Sequence, residues 1–375
     1  MAARGDSPVP SRRRRREGWW GTDPVVTACF FILSLTGLLF VLSTTWDPLG
    51  ELSLAAVWVS FQSTIKQLGF IVVGTLLYFG TARLRLERGS IFLPLLILTV
   101  GMLLVVLLFG HTQFGSTRWL RIGMLSLQPA EFAKPAFILM LAHLLSPRPG
   151  ESRLPSLIPA LGLTLLISLL VVLEPDLGTA MIFVALFFVG ALVAGYPLGR
   201  LATIGGVMGV LALPGWFLMR DYMRQRILGF IEPGSSAYWQ VRQAAIAIGS
   251  GGLLGKGLFK GSQKEGGFIF GAHNDFIFAV INEEAGFLGG VFVLLVFVVL
   301  IGRLLWLRVG EGDRFVILVS ALTGGLIGLQ MMVHVGMNLG LLPVTGISLP
   351  LVSYGGSSYL ATALALGLAQ AGMRR

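Results

Sequence analysis

DFIFAVINEEAGFLGGVFVLLVFVVLIGRLLW, residues 275–306, is an apolar run that opens on one carboxylate and carries two more, Glu283 and Glu284, near its start. Thirty residues of helix reach about 45 Å, whereas a bilayer hydrocarbon core is about 30 Å thick. The run therefore either projects beyond the lipid, with Asp275 above it, or breaks near Gly286, Gly289 and Gly290. At about 100° per residue Asn282 returns to the face of Asp275, Glu283 lies about 80° away, and Glu284 points to the opposite side. A charge inside a span costs about 2.5–3.5 kcal/mol on insertion scales, so adjacent carboxylates belong in a protein interior or a wet cavity. By spacing alone, Asp275 serves equally well as a helix N-cap.

Nine further apolar runs surround this one, near residues 25–46, 65–80, 91–110, 130–145, 154–173, 177–195, 201–219, 315–337 and 349–372. With 55% hydrophobic and only 12% charged residues, the 375-residue chain is far from soluble-protein composition. The expected fold is all-α: a polytopic membrane protein of about ten transmembrane helices, with no strand-like alternation to suggest a barrel. The first run is longer than a signal-peptide core and no small-residue cleavage pattern follows it, so it should stay as an anchor. Cys29 is the single cysteine, which excludes an intramolecular disulfide.

The net charge of +10 does not point to nucleic acid, because the basic residues lie between spans and at the N-terminus. Arg12 to Arg16, the loop with Arg83, Arg85 and Arg88, Arg148, Arg153, Arg200, the loop from Arg303 to Arg314, and Arg374 and Arg375 fall on one side. The positive-inside bias makes that side the cytoplasm, with both termini there. The opposite short loops carry little beyond Lys66, Arg118 and Arg121. Residues 1–23 read as a disordered basic cytoplasmic tail with affinity for anionic lipid headgroups. Residues 24–375 read as one transmembrane domain. Within it, residues 220–274 form a long extracytoplasmic loop between helices 7 and 8, too long for a mere connector.

Other polar residues cluster at span ends. Pro129 suits the first position of a helix, Glu131 its first turn, and Lys134 can pair with Glu131 or meet a substrate. Asp176, in Glu174-Pro175-Asp176-Leu177-Gly178-Thr179, can cap the sixth helix. The stretch Ile248-Gly249-Ser250-Gly251-Gly252-Leu253-Leu254-Gly255-Lys256-Gly257, followed by Lys260 and Lys264, offers free backbone N–H groups and point charges of the kind that bind a pyrophosphate, although it lacks Walker spacing.

These motifs, in this order, resemble the SEDS family of shape, elongation, division and sporulation proteins. The resemblance runs over about residues 22–372. It rests on Arg118-Trp119 with Gln128-Pro129-Ala130-Glu131 and Lys134; on Pro175-Asp176-Leu177-Gly178-Thr179; on Ala247-Ile248-Gly249-Ser250-Gly251-Gly252 with Gly255-Lys256-Gly257; on Asp275-Phe276-Ile277-Phe278 with Glu283-Glu284; and on Leu349-Pro350-Leu351-Val352-Ser353-Tyr354-Gly355-Gly356-Ser357-Ser358. Leu342-Pro343-Val344-Thr345-Gly346 is more similar to the RodA branch than to FtsW, which favours elongation over division. The chain departs from the pattern before Asp275, where Phe270-Gly271-Ala272-His273-Asn274 replaces the usual Pro-Glu-Ala-His-Thr, so no role passes to that glutamate. Ala130 replaces a common serine.

The resemblance implies a peptidoglycan glycosyltransferase at the outer face of the bacterial inner membrane. Its substrate would be lipid II, its partner a class B penicillin-binding protein transpeptidase, and its essential aspartate Asp275. Attack of a sugar hydroxyl on an anomeric carbon needs a general base, for which Asp275 is the candidate, and inverts that carbon. It also needs cations at the pyrophosphate, for which Lys256, Arg118 and Lys134 are candidates. Glu131, Glu283, Glu284 and Ser353 complete the expected substrate-binding set. A divalent cation could share the work, although no metal-ligand cluster is visible. Two alternatives stay open: a transporter that flips lipid II, and a non-catalytic scaffold of the cell-wall synthesis complex.

Overall fold

The computed structural model describes residues 21–45, 54–86, 91–113, 116–122, 125–147, 151, 153–219, 223–224, 228–230, 232, 235–269, 271–307 and 313–371. Ten of its helices follow the ten apolar runs: α1 (Pro24–Thr45), α2 (Leu54–Ala82), α3 (Phe92–Phe109), α4 (Pro129–Leu145), α5 (Ile158–Leu173), α6 (Leu177–Ala194), α7 (Leu198–Ala212), α9 (Ile277–Leu307), α10 (Arg314–Asn338) and α11 (Gly356–Gln370). Helix α8 (Ser236–Ser250) lies in the connection between α7 and α9. Six of these, namely α1, the 61–82 part of α2, α3, α6, α9 and α10, are long and apolar enough to cross a membrane alone. Helices α5 and α7 are shorter apolar helices. Helices α4 and α11 bury polar groups such as Lys134, Thr362 and Gln370, as spans do when they face protein.

Large apolar side chains point outward along the spans, among them Leu108, Phe109, Leu211 and Trp306, as lipid contact requires. Inside, one core gathers Phe30, Tyr78, Phe297 and Tyr359 between α1, α2, α9 and α11, and another gathers Phe137, Phe183 and Leu322 between α4, α6 and α10. Helices α2 and α11 meet closely at Gly367, where a Cβ would stand 2.5 Å from the Tyr78 carbonyl oxygen. A small residue is what lets two backbones approach so near where apolar burial supplies no drive.

Three expectations need correction. Helix α2 begins at Leu54 rather than near residue 65, so Lys66 lies within a helix and not in a short loop. Residues between α3 and α4 form a three-stranded antiparallel sheet, β1 (His111–Gln113), β2 (Ser116–Ile122) and β3 (Leu125–Leu127), in the order β1-β2-β3. Strands of three to seven residues are too short for hydropathy to reveal, and β2 carries Arg118 and Arg121. Finally, the tail assigned to residues 1–23 does not reach 23. Thr22 and Asp23 are buried, and Asp23 pairs with Arg303 of α9 at 2.5 Å while its N–H donates to Gln370 Oε1 at 2.7 Å. Residues 1–20 lie outside the described residues.

Candidate active site

Asp275 sits in the tight turn that leads into α9. Gly271, at φ 72°, presents its carbonyl to the N–H groups of Asn274 at 2.9 Å, Asp275 at 3.1 Å and Phe276 at 3.4 Å. From the end of α10, Asn338 Nδ2 donates to the Asp275 carbonyl at 2.9 Å, and Asn338 Oδ1 accepts from the N–H of Ala279 at 3.1 Å. One buried amide thus caps the first turn of α9 and fixes the residue before it. From the segment before α11, Ser353 Oγ donates to the Asn274 carbonyl at 2.8 Å and the Tyr354 N–H to the His273 carbonyl at 2.8 Å. The rings of His273 and Tyr354 meet edge to face at 5.4 Å. Burial holds His273 below the ordinary imidazole range, so it is neutral at pH 7. The Asp275 side chain itself is half-buried.

Further along, α9 breaks at Gly286, which adopts φ 69° and ψ −171°. A break frees backbone groups that a continuous helix would pair, and buried ones must find partners elsewhere. The 251–257 loop supplies them. The carbonyls of Gly252 and Leu253 accept from the N–H groups of Phe287 at 2.9 Å and Leu288 at 3.2 Å, and the N–H groups of Lys256 and Gly257 donate to the carbonyls of Glu283 at 2.9 Å and Glu284 at 3.0 Å.

The glycine density follows from this contact. A Cβ on Gly251 would stand 1.9 Å from the Asn282 carbonyl oxygen, and one on Gly255 2.1 Å from that of Glu284. The glycines thus serve close approach to the kink: Gly251 and Gly255 have no room for a Cβ, and the Gly255 and Gly257 N–H groups, expected to form an anion cradle, donate to the carbonyls of Gly251 and Glu284.

The two glutamates are also accounted for. Glu283 Oε1 takes Lys256 Nζ at 2.8 Å and the Gln263 N–H at 2.9 Å. Glu284 takes Lys264 Nζ at 2.8 Å, Ser43 Oγ of α1 at 2.6 Å and 2.7 Å, and the Phe259 N–H at 3.2 Å. Both carboxylates are buried and tie loop to helix, while Glu283 Oε2 accepts no hydrogen bond among the described residues. Lys264 has 4% of its side chain exposed, against 28% for Lys256.

At the α5–α6 turn, Arg118 of β2 lies 3.5 Å from Asp176 and donates to the carbonyls of Glu174, at 3.4 Å, and Pro175. Asp176 caps α6 by accepting from the Thr179 N–H at 3.1 Å and also receives Gln128 Nε2 at 3.2 Å. The sequence motif alone gives Glu174 no role. It is fully buried, and neither carboxylate oxygen accepts a hydrogen bond among the described residues. Burial, reinforced by Asp176 and opposed by Arg118, pushes its pKa up to about 8.

Glu131 and Lys134 form a buried pair at 2.6 Å in the first turn of α4. The Gln128 N–H donates to Ser357 Oγ at 3.0 Å, tying this corner to the segment that carries Ser353. Ser353 and Asn338 thus meet the Asp275 turn directly, whereas Lys256 and Arg118 are held by different carboxylates. Among the described residues no group of three or more His, Cys, Asp and Glu side chains could hold a metal ion.

Comparison with known proteins adds to this geometry. Residues 24–372 match the family model described as cell cycle protein and labelled for FtsW, RodA and SpoVE. The chain is 34% identical over 332 residues to stage V sporulation protein E of Bacillus subtilis (strain 168), covering 84% of this chain and 90% of that protein. It is 33% identical over 355 residues to peptidoglycan glycosyltransferase MrdB of Escherichia coli (strain K12), covering 92% of each. Among solved structures it resembles the rod shape determining protein RodA of Thermus thermophilus, with TM-score 0.66 and 30% identity. It also resembles a chain of a peptidoglycan synthase complex that coordinates polymerization and crosslinking, with TM-score 0.77 and 29% identity. Each alignment covers 95% of this chain and 98% of the other.

Proposed function

The chain belongs to the FtsW, RodA and SpoVE family of cell cycle proteins and is a multi-pass membrane peptidoglycan glycosyltransferase of cell-wall synthesis, and from that premise we propose that it polymerises lipid II with Asp275 as the general base. The observation that carries this reading is the Asp275 turn. A half-buried carboxylate stands at the mouth of a helix, with its backbone held by Gly271, Asn338 and the segment around Ser353. Rigid support of this kind is what positioned acid–base catalysis needs.

In the proposed reaction a hydroxyl of one lipid-linked disaccharide attacks the anomeric carbon of another. The new C–O bond forms as the bond to pyrophosphate breaks, Asp275 accepts the hydroxyl proton, and the lipid pyrophosphate leaves with the bonding electron pair. Direct displacement inverts the anomeric carbon. Arg118 and Lys256 are the candidates to meet the leaving group, exchanging part of their contact with Asp176 and Glu283 for phosphate oxygens. Lys134 is nearly fully buried against Glu131, and that pair is assigned to holding α4.

We further place the protein in the bacterial inner membrane, with both termini in the cytoplasm and the Asp275 end outward, and with a class B penicillin-binding protein as partner. The arginine bias of the loops and the even number of spans support the orientation. The RodA likeness favours cell elongation as the setting.

The test is purified protein with lipid II in detergent, followed by glycan-strand analysis. Positioned acid–base catalysis is worth about 10²–10⁴ in rate, so Asp275→Asn should fold, keep its partner and lose nearly all polymerisation. Near-parental turnover by folded Asp275→Asn refutes the assignment, and loss of lipid II movement without loss of polymerisation turns the reading to a flippase.

A further inference from the structure

We propose that α8 and the turn after it are not an aqueous loop but a re-entrant element seated in the bilayer, in the leaflet at the Asp275 end of the bundle. The backbone bonds at the kink set its depth. Trp306 is exposed at the far end of α9, where an aromatic residue marks a membrane interface. Nineteen residues back along the helix, a rise of about 28 Å and thus close to one hydrocarbon thickness, stands Phe287. A tilt of about 20° shortens that reach only to about 27 Å. Phe287 and Leu288 therefore mark the opposite edge of the hydrocarbon. These are the residues whose N–H groups are bonded to the carbonyls of Gly252 and Leu253, so the turn lies at that same edge.

The side chains at this level fit lipid. Leu253 and Leu254 are 62% and 75% exposed, side by side at the tip of the turn. They continue the exposed apolar surface of Phe287 and Leu288, which faces the bilayer as part of a spanning helix. On α8, Val241, Ala244 and Ala247 are buried against the bundle while Trp239 and Ile246 face outward. Helical spacing places Arg242 on that same outward stripe, and Lys260 is exposed beyond the turn, so both ammonium and guanidinium groups can reach anionic headgroups from an apolar seat.

Irregular backbone survives at membrane depth only when its polar groups are satisfied by protein. Here the carbonyls of Gly252 and Leu253 are satisfied by the Phe287 and Leu288 N–H groups, and that of Gly251 by the Gly255 N–H at 2.8 Å. The inference rests on membrane spanning, and it holds whichever compartment that leaflet faces.

The experiment attaches bimane to a cysteine at Leu254→Cys, with Glu232→Cys as the water-facing control, both in a Cys29→Ser background. The full chain is reconstituted in vesicles of phosphatidylcholine and phosphatidylglycerol. Replacing the lipid by one brominated on its acyl chains should remove most of the emission at position 254 and little at position 232. Aqueous iodide should do the reverse. Leu258→Cys repeats the measurement should the first labelled variant aggregate. Iodide quenching at positions 254 and 258 equal to that at 232, with no response to brominated lipid, overturns the proposal. Because the readout is position rather than turnover, it stands or falls independently of whether Asp275 is the base.

Discussion

Replacing Asn338 by alanine should cripple turnover while leaving substrate affinity nearly intact. The Asn338 amide is fully buried, and it joins the Asp275 carbonyl, the Ala279 N–H and the His334 carbonyl. Its removal orphans the Ala279 N–H in a fully buried position, and a buried group left unpaired costs about 1–3 kcal/mol. The Asp275 carbonyl lies in a half-buried turn where water can partly replace the lost donor, so the whole change should destabilise by about 2–3 kcal/mol. The effect on rate should be of the same size, because a misplacement of about 1 Å in a catalytic group costs about 10²-fold, or about 2.7 kcal/mol. The assay is initial polymerisation rate against lipid II concentration, with thermal unfolding in the same detergent. Leu300→Ala, a cavity in the buried face of α9 far from Asp275, should cost about 2–5 kcal/mol and serves as the control for stability alone. A kcat for Asn338→Ala no lower than that of Leu300→Ala would refute the view that Asn338 positions the base.

Four other outcomes follow. Lys264→Ala leaves Glu284 buried without its cation and should destabilise by about 3–5 kcal/mol, more than Lys256→Ala does, as thermal unfolding in detergent will show. Glu174 is held neutral at pH 7 by burial, its pKa raised from 4.5 to about 8. The folded state therefore binds the extra proton, and stability falls as pH rises from about 4.5 through about 8. A Glu174→Gln variant should show a flatter melting temperature across pH 6 to 9 than the parent, and identical slopes would remove Glu174 as the cause. Single cysteines at Ser235 and Gly310, in the Cys29→Ser background, should react with impermeant reagent from outside and inside respectively, and external labelling at Gly310 reverses the orientation. Co-expression with class B penicillin-binding proteins of the source organism should yield one detergent-stable complex of raised activity, and failure with all of them counts against that partner.

The number of spans was legible because a helix that crosses a bilayer needs an unbroken apolar run, and the chain shows ten. What escaped was structure built from few residues. The strand β2 has seven residues and no apolar face wide enough to register, although it delivers Arg118 to the α5–α6 turn. Run 349–372 looked like one helix, yet α11 starts only at Gly356, and the residues before it include Ser353, which supports the Asp275 turn. Asn338 left no local signal at all. It is one asparagine at the end of an apolar run, and its role exists only because α10 ends beside the start of α9.

The charged loop shows the deeper limit. From sequence, glycines with nearby lysines read as an anion site, and Glu283 and Glu284 as expensive carboxylates that belong in a protein interior or a wet cavity. Each reading was sound for its own segment, and each overlooked the other as partner. The lysines neutralise the glutamates, and the glycines let the loop approach a helix whose own hydrogen bonding fails at Gly286. This arrangement bears on catalysis through height. From Gly286 to Asp275 is eleven residues, about 16 Å at the helical rise, and the clasp made by the 251–257 loop fixes the lower end of that segment while Asn338 fixes the upper. With the kink level with the lipid edge, as proposed, Asp275 would stand a set distance above it, beyond the headgroups. There the disaccharide of the proposed substrate would project from its membrane-held pyrophosphate. A clasp that loosened would let the carboxylate drift along the substrate rather than lose its chemistry, so Lys264→Ala at permissive temperature should lower kcat without altering the inversion at the anomeric carbon.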